Sequence, residues 1–397
     1  MKNRSNPSTR NAKTQMNKPV KTIVPNLVQR VRAMSAASQS GERVIRELDG
    51  MHPIEIKATL LSAGEDNLAK SVFDSIAVDL PCIHEIVRED NPILNFWSFT
   101  TQSAAQLAKM VHGFSSVALL GAPTLYTVLR DQSGCDVHLF ERDDYLLREE
   151  AAPGFHRCDV VAGIPRSFND SFDLVIGDPP WYFDEYSAWL ATAERIVRPG
   201  GSVMFVLFPA GIRDAAPTER NAIVGLAETL FNNVSLSDLA VEYDTPSFEQ
   251  VQMIRSGIQP INWRRAALLV GQGKKGNAQA INRIVPQEHW VERRVGSGRL
   301  FVNLTPIPDD GEFLREAQTG SRFLLSPSRR DPARKRANII SSRGHGLQCA
   351  NPAHLLQLVR RLDTADDVDK ETCSLTDDSK RLFKELVLDL WPRFIRC

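Results

Sequence analysis

The central part of the chain alternates between two hydrophobic patterns. Short, nearly continuous apolar runs are typical of strands that a sheet buries on both faces. Between them, apolar residues recur every three or four positions, as they do along one face of a helix. Strands are predicted at 117–120, 136–140, 158–161, 172–176, 202–207, 234–243 and 265–270, and helices at 101–111, 123–129, 186–197 and 221–231. This alternation predicts a doubly wound α/β domain.

The regions on either side of this alternating part have different patterns. Between residues 41 and 94 the apolar positions are spaced as in helices, which predicts a helical cap. Beyond residue 271, two predicted strands and two amphipathic helices indicate a smaller accessory α+β region. The predicted organisation is a tail, a helical cap, a central α/β domain and an accessory region, at 1–40, 41–94, 95–271 and 272–397.

The predicted tail, residues 1–40, is basic and poor in apolar side chains. It contains lysine and arginine but no aspartate or glutamate. Such a segment buries too little apolar surface to offset the entropy lost on ordering. We therefore predict a disordered tail, and a phosphate-seeking arm that raises nucleic-acid affinity is the functional alternative.

Composition and charge limit the class of protein. The formal net charge is zero, so any attraction to nucleic acid has to be local. The six cysteines are scattered, which fits a reducing compartment, and no metal site is predicted because His345, Cys349, His354 and Cys373 lack tight ligand pairs. No apolar run approaches the roughly 20 residues of a membrane span, and the N-terminus lacks the apolar core of a secretory signal. We expect a cytoplasmic protein.

One stretch concentrates the candidate chemistry. The apolar run 172–176 is followed in the next loop by Asp178, Pro179, Pro180 and Trp181. In open α/β sheets, ligands bind beyond the carboxyl ends of the strands. Two prolines stiffen the loop and remove two N–H donors, and the first proline forces Asp178 into extended geometry. A rigid acceptor pair beside an aromatic plane suits a planar group that carries an NH2.

Four stretches carry a resemblance to a known family: Asn95–Ser98, Val117–Tyr126, Val137–Asp143 and Asp178–Trp181. The Asp-Pro-Pro-Trp loop is similar to the (Asp/Asn)-Pro-Pro-aromatic motif of S-adenosylmethionine-dependent amino-methyltransferases. In order and spacing, the four stretches resemble the probable N6-adenine methyltransferase family. That family includes ribosomal-RNA adenine methyltransferases and elongation-factor lysine methyltransferases. The resemblance covers roughly Asn95 to Val270.

The resemblance carries expectations about fold and cofactor. It implies a Rossmann-like class I methyltransferase domain with a mainly parallel seven-stranded sheet and an antiparallel hairpin at one edge. It also implies S-adenosylmethionine as the cofactor. Residues of the segment that folds over the cofactor are then expected near it: Phe96, Trp97 and Ser98.

Acidic residues at strand ends are predicted to bind the cofactor. Glu141 ends the second strand, where an acid accepts hydrogen bonds from both ribose hydroxyls. Asp143 is the second choice for this role. Asp159, within the third predicted strand, is placed to accept a hydrogen bond from the cofactor's adenine amino group.

The turn after the first strand is the remaining predicted cofactor contact. It consists of Gly121, Ala122 and Pro123, and a glycine lets the backbone approach a ligand closely. Pro123 suits the first position of a helix. The Gly-x-Gly of ordinary Rossmann-type methyltransferases is absent, so this turn gains its weight from the same Ala-Pro-(Ser/Thr)-Leu pattern in the family.

Methyl transfer to an adenine amine assigns catalytic roles within the Asp-Pro-Pro-Trp loop. An in-line displacement depends on positioning more than on acid or base. Asp178 and the Pro179 carbonyl accept hydrogen bonds from the amine and aim its lone pair, while Pro180 stiffens the loop. Stacking of the base on Trp181 is worth roughly 1–3 kcal/mol. Three aromatic residues are predicted to bind the substrate: Trp181, Tyr182 and Phe183.

The acceptor stays open between three alternatives. We favour the exocyclic N6 of adenine in DNA or RNA, single-stranded or flipped out of a duplex. The basic tail and the basic segment 326–336 favour nucleic acid. A protein lysine is the second alternative, because the same carboxylate orients an amine and Trp181 lines a channel for its cation. The third is a nucleic-acid-binding module with a decayed site. No oligomeric state is predicted.

Overall fold

The fold contains two sheets, which helices cover. The computed structural model describes residues 23–37, 39–48, 50–74, 90–94, 97–131, 134–143, 153–277, 288–296, 298–305, 307, 312–362 and 368–391. Within these residues, the strands of the larger sheet are β1 (Ser98–Phe99), β2 (Ser116–Leu120), β3 (Asp136–Glu141), β4 (Phe155–Arg157), β5 (Phe172–Gly177), β6 (Val197–Leu207), β7 (Phe231–Asp244) and β8 (Arg265–Lys274). The strands of the smaller sheet are β9 (Trp290–Val295), β10 (Gly298–Asn303), β11 (Leu314–Glu316), β12 (Ile339–Ser341) and β13 (Gly346–Cys349).

The helices follow the chain in three groups. Those before the larger sheet are α1 (Ile23–Ala36), α2 (Gly41–Arg46), α3 (Pro53–Ser62) and α4 (Asp66–Phe73). Those between its strands are α5 (Thr101–Met110), α6 (Pro123–Leu129), α7 (Phe183–Ile196), α8 (Ala216–Leu230) and α9 (Ser247–Arg255). Those in the C-terminal part are α10 (Pro332–Arg336), α11 (Pro352–Arg361), α12 (Val368–Glu371) and α13 (Asp377–Leu390). None of the described helices is long and apolar enough to cross a membrane.

The larger sheet has the order β1-β7-β8-β6-β5-β2-β3-β4. Strands β6, β5, β2, β3 and β4 are parallel, whereas β8 runs antiparallel to both β6 and β7. The predicted α/β fold with an antiparallel edge is therefore confirmed. The count of seven strands was wrong for the described residues, because Ser98 and Phe99 pair with Asp244 and Tyr243 and add an eighth.

The centre of the larger sheet is the best-predicted part of the fold. Leu119, Leu174, Ile176 and Phe205 are fully buried, as residues of a sheet covered on both faces must be. The third predicted strand, 158–161, is wrong. The strand is β4, and the predicted residues form the turn after it. Because β4 lies at the sheet edge and its side chains are half-exposed or exposed, it has no apolar run to reveal it.

The N-terminal helices form a cap with its own core. Apolar residues of α1–α4 pack together and against Met253, Ile258 and Trp263. The predicted disordered tail was wrong for α1, whose Leu27 and Val31 are buried in this core at helical spacing. Residues 1–22 of the predicted tail lie outside the described residues.

The smaller sheet belongs to the C-terminal region. Its order is β11-β13-β12-β10-β9, and all of its pairs are antiparallel. Helices α11 and α13 bury Leu358, Phe383 and Leu386 against it. An ion pair between Arg255 of α9 and Asp389 of α13, at 2.7 Å, joins this region to the larger sheet's side of the molecule.

Candidate active site

The carboxyl ends of three neighbouring parallel strands meet at one cavity. β2, β3 and β5 end just before Gly121, at Glu141 and just before Asp178. The N–H of Asp178 donates to the Leu120 carbonyl and that of Gly121 donates to the Phe140 carbonyl, both at 3.0 Å, so these strand ends are held side by side. The cavity beside them has a volume of about 490 Å³.

Most of the residues predicted from the sequence line this cavity. Those that do are Trp97, Gly121, Glu141, Asp159, Asp178, Pro179, Pro180, Trp181 and Tyr182. Other predicted residues do not line it: Ser98, Ala122, Pro123 and Phe183. Phe96 lies outside the described residues. The structure thus brings the predicted cofactor and acceptor residues together, while Ser98 is buried in β1 and Phe183 begins α7.

Gly121 allows a close approach that no other residue permits. Its φ is +61°, in the left-handed region. A Cβ at this position would lie 2.5 Å from the Trp189 ring. The Trp189 indole nitrogen is buried and has no hydrogen-bond partner among the described residues. The turn therefore presents open backbone and an unused donor at the cavity wall.

Glu141 is held by the backbone of the next two residues. Its Oε1 accepts from the N–H groups of Arg142 and Asp143, at 2.6 and 2.8 Å. Burial raises the pKa of Glu141 to about 7, although these two hydrogen bonds favour its charged form. A carboxylate held in this way keeps its second oxygen for a ligand.

Asp159 is oriented by local contacts of the same kind. Its Oδ1 accepts from the Val161 N–H at 3.0 Å. Its Oδ2 accepts from Arg142 Nη1 at 3.1 Å, and Arg142 is half-exposed. The structure therefore places Asp159 beside Glu141 at the cavity, with both carboxylate oxygens already hydrogen-bonded.

Asp178 is a half-buried acid that lines the cavity. Burial raises its pKa to about 7, although a hydrogen bond from Tyr243 and the charge of Arg264 favour the ionised form. The Tyr243 hydroxyl donates to Oδ1 at 2.6 Å. Within the described part of the chain, Oδ2 and the Pro179 carbonyl oxygen accept no hydrogen bond. Two acceptors are thus available side by side.

Aromatic side chains surround a cation next to Asp178. The Trp181 ring is only 8% exposed and packs near Phe208 and Tyr243. The Arg264 guanidinium carbon lies 3.6 Å from the Trp181 ring centroid and 4.3 Å from that of Trp97. Sequence reasoning assigned no role to Tyr243 or Arg264. Tyr243 lies in β7 and Arg264 directly precedes β8, and no motif marks them.

The cap and α9 form another wall of the cavity. His52 precedes α3, and its Nε2 lies 2.5 Å from Oε2 of Glu249 in α9. Burial by itself lowers the pKa of His52, but the charge and hydrogen bond of Glu249 raise it overall. The imidazole also packs on Trp263, with ring centroids 5.0 Å apart. This pair was not predicted, because its members are 197 residues apart in sequence.

A C-terminal segment, residues 326–332, lines the cavity from the other side and is named here the covering segment. Arg330 Nη1 donates to the Trp181 carbonyl at 3.0 Å, and the Arg329 N–H donates to the Tyr182 hydroxyl at 2.8 Å. The two arginines also form ion pairs with Glu185 and Glu219. The Arg330 side chain therefore holds the Asp-Pro-Pro-Trp loop, and the Arg329 backbone holds the next residue, Tyr182. Both arginine side chains are paired with acids within the protein.

The turn after β3 is also supported from the C-terminal region. The Arg299 side chain is 2% exposed, and its Nη2 lies 3.3 Å from Asp143 and 2.8 Å from Glu292. Asp143, the second choice for the ribose, is therefore an ion-pair partner of Arg299. Since the Asp143 N–H donates to Glu141, this contact supports the position of the Glu141 carboxylate.

The chain matches a family of known proteins. Residues 89–244 match the family model described as "Probable N6-adenine methyltransferase". This match confirms the family resemblance and the methyltransferase character of the domain, and it supports S-adenosylmethionine as the cofactor. Curated proteins gave no match to the chain.

Several solved structures have a similar chain path. The branched-chain polyamine synthase from Thermus thermophilus is 13% identical, with 66% of this chain and 90% of that chain covered and a TM-score of 0.48. A 16S rRNA N2 methyltransferase from Thermus thermophilus is 14% identical, covers 53% and 47%, and has a TM-score of 0.30. A predicted O-methyltransferase from Agrobacterium tumefaciens is 20% identical, covers 44% and 81%, and has a TM-score of 0.29.

Proposed function

We propose that this protein methylates the exocyclic N6 of adenine in nucleic acid, because residues 89–244 match the model of the probable N6-adenine methyltransferase family. The observation that supports this most is the position of Asp178. Its half-buried carboxyl group follows directly after β5 and lines the same cavity as Trp181 and the Pro179 carbonyl, which accepts no hydrogen bond from the described residues. Two acceptors next to an aromatic plane suit a flat ring that carries an NH2.

The donor side of the cavity suits S-adenosylmethionine. This cofactor supplies an electrophilic methyl group when it is bound. Glu141 accepts hydrogen bonds from the ribose hydroxyls, and Asp159 is the proposed partner of the adenine amino group. Gly121 gives backbone access, and the unpaired indole N–H of Trp189 offers a donor beside it. These residues would hold the cofactor at the strand ends.

Asp178 and Pro179 act on the acceptor amine. Its nitrogen lone pair is conjugated into the adenine ring, so the free amine is a weak nucleophile. Oδ2 of Asp178 and the Pro179 carbonyl each accept one N–H, which favours a more tetrahedral nitrogen and aims its lone pair at the methyl group. The methylated nitrogen then loses a proton. Asp178, with its pKa raised to about 7, is a suitable group to accept it.

Trp181 binds the acceptor base by stacking. A base inside a duplex has to be flipped out to reach a cavity of about 490 Å³, or the target has to be single-stranded. The covering segment and the cap both line this cavity, through Ser328 and His52 among others. They restrict the acceptor to a single base at a time.

A protein lysine is the second candidate acceptor, and one observation favours it. Trp97, Trp181 and Tyr243 surround the guanidinium of Arg264, which means that these rings already bind a cation. Aromatic rings of this kind also bind ammonium groups. On this alternative, Asp178 would orient a neutral lysine amine.

Parallel methyl transfer from labelled S-adenosylmethionine to DNA, RNA and protein fractions tests the proposal. We expect label in the nucleic acid, recovered after digestion as N6-methyladenine, and no label with Asp178→Ala. Label confined to protein and recovered as methyl-lysine would reject the adenine proposal in favour of the lysine alternative. If the protein neither binds nor consumes S-adenosylmethionine, the enzyme proposal is rejected in favour of a binding module with a decayed site.

A further inference from the structure

Arg264 differs from the other arginines that line the cavity. Arg142 pairs with Asp159, and Arg213 and Arg330 both pair with Glu219. Among the described residues, the Arg264 side chain has no hydrogen bond and no carboxylate within 4.0 Å. Burial lowers its pKa, although nearby acids such as Glu249 and Asp178 oppose this effect. It is a half-buried guanidinium whose N–H donors are unused.

The guanidinium lies where an acceptor base would stack. It covers the Trp181 ring at 3.6 Å and the Trp97 ring at 4.3 Å. Trp181 is 8% exposed, and Phe208 and Tyr243 pack against its ring with centroids 5.9 and 6.2 Å away. Because so little of the ring is open, a base that stacks on Trp181 has to displace the guanidinium.

We propose that the Arg264 guanidinium moves away from the Trp181 ring when the acceptor base stacks there, and that it then pairs with the phosphate of that nucleotide. In this way Arg264 selects nucleotides over nucleosides. This inference rests on the proposed adenine acceptor. A guanidinium makes two parallel hydrogen bonds to a phosphate, and such charge-assisted bonds are stronger than cation–π contacts at a partly exposed site. The hydrogen bonds to the phosphate compensate for the cation–π contacts that the guanidinium loses. A nucleoside has no phosphate, so its binding is not compensated in this way.

The proposal predicts opposite effects on two kinds of acceptor. For a phosphorylated acceptor, Arg264 supplies an attraction that its removal abolishes. For an unphosphorylated acceptor, Arg264 is only a competitor for the space beside Trp181. Removing its side chain therefore weakens nucleotide binding and leaves nucleoside binding equal or tighter. A purely structural role for Arg264 would weaken both.

The test compares adenosine with adenosine 5′- and 3′-monophosphate as ligands and acceptors. Binding is followed by tryptophan fluorescence in the presence of S-adenosylhomocysteine, because the indoles of Trp97 and Trp181 lie against the Arg264 guanidinium. For the wild type we expect one monophosphate to bind roughly 10- to 100-fold more tightly than adenosine. In Arg264→Ala this ratio should fall to about 1, with adenosine bound as well as before or better.

Arg213→Ala is the matched control. Arg213 lines the same cavity and lies over Phe208 at 4.5 Å, but its guanidinium is paired with Glu219 and donates to the Trp181 carbonyl at 3.3 Å. We expect this variant to keep the wild-type preference for the monophosphate. If Arg264→Ala keeps that preference too, or if it weakens all three ligands equally, the inference is overturned.

The outcomes for Arg264 and for the proposed function are separable. If the wild type methylates adenine without preferring a monophosphate, the function stands and the role of Arg264 fails. If a monophosphate binds through Arg264 but no adenine acceptor is methylated, the phosphate site stands and the adenine proposal fails. If none of the three ligands binds, both are rejected.

Discussion

The two halves of the cavity are built in different ways. In the half that we propose binds the cofactor, the cofactor half, Glu141 is held by the N–H groups of the next two residues, and Asp159 by that of Val161. In the half that we propose binds the acceptor, the acceptor half, Asp178 is held by Tyr243, which is 65 residues away in the sequence. The carbonyl of Trp181 accepts hydrogen bonds from Arg213, 32 positions away, and from Arg330, 149 positions away in the C-terminal region.

This difference shows which half depends on the whole fold. A strand end and the turn after it are enough to orient the acids of the cofactor half, with Arg299 as an additional support through Asp143. The acceptor half needs the antiparallel pair β7 and β8, the cap and the covering segment to be in place. We infer that changes in distant regions alter acceptor handling more than cofactor binding.

The largest expected effect comes from Asp178→Ala. Without its carboxylate the acceptor amine loses one of its two acceptors and is no longer aimed, so we expect kcat/KM to fall by about 10³-fold. Affinity for S-adenosylmethionine should stay within about threefold, because Asp178 belongs to the acceptor half. Calorimetric titration and steady-state kinetics on the same preparations measure the two quantities.

Glu141→Ala is the control for this variant, because it removes an acid from the cofactor half. Loss of hydrogen bonds to both ribose hydroxyls should weaken S-adenosylmethionine binding about tenfold or more. The kcat at saturating cofactor should change little. If Asp178→Ala impairs cofactor binding as much as Glu141→Ala does, the division into two halves is wrong.

A smaller effect is expected from Arg330→Ala, which tests the covering segment. This side chain donates to the Trp181 carbonyl and pairs with Glu219 across the loop. Its loss should let the loop move and lower kcat/KM for the acceptor about tenfold, with the affinity for S-adenosylmethionine unchanged. Kinetics with varied acceptor at saturating cofactor give the first value, and calorimetry the second.

Arg381→Ala provides the comparison for Arg330→Ala. Arg381 is also in the C-terminal region, but it is half-exposed on α13 and forms a surface pair with Glu385. Such a pair contributes about 0.3–0.5 kcal/mol to stability, and neither activity nor cofactor binding should change. An equal loss of activity in both variants would mean that the C-terminal region acts through general stability.

The sequence predicted the features that depend on neighbouring residues and missed the contacts between residues that are far apart in the chain. The strands at the centre of the larger sheet follow from apolar runs, since both faces of those strands are buried. The Asp-Pro-Pro-Trp loop follows from its motif. The short edge strand β4 has half-exposed and exposed side chains, so its pattern resembles that of a turn.

The acceptor half could not be assembled from the sequence. Tyr243, Arg264 and His52 are ordinary residues until the fold brings them to Asp178. The covering segment was interpreted as a basic loop, because its sequence gives charge but not partners. Pairing of Arg329 with Glu185 and of Arg330 with Glu219 depends on long-range packing that no local pattern contains.

The pH dependence of activity, which is the mildest perturbation because it changes no residue, distinguishes the two halves by their acids. Burial raises the pKa of Asp178 and that of Glu141 to about 7 each. The ionised form of Asp178 accepts the amine N–H, so kcat/KM at saturating cofactor should fall about tenfold per pH unit below this pKa. A bound sulfonium cation stabilises the carboxylate, which places the midpoint somewhat below 7 in the complex.

The same profile in Glu141→Gln separates the two titrations. Removing the Glu141 charge takes away a repulsion that raises the pKa of Asp178, so the midpoint should move to lower pH and remain visible. In the wild type, cofactor affinity should decline below about pH 7 as Glu141 takes up its proton, and in the variant this dependence should disappear. A rate that is flat between about pH 6 and 8 in the wild type would exclude Asp178 as the titrating acceptor, because a neutral carboxyl group loses a lone-pair acceptor that the amine requires.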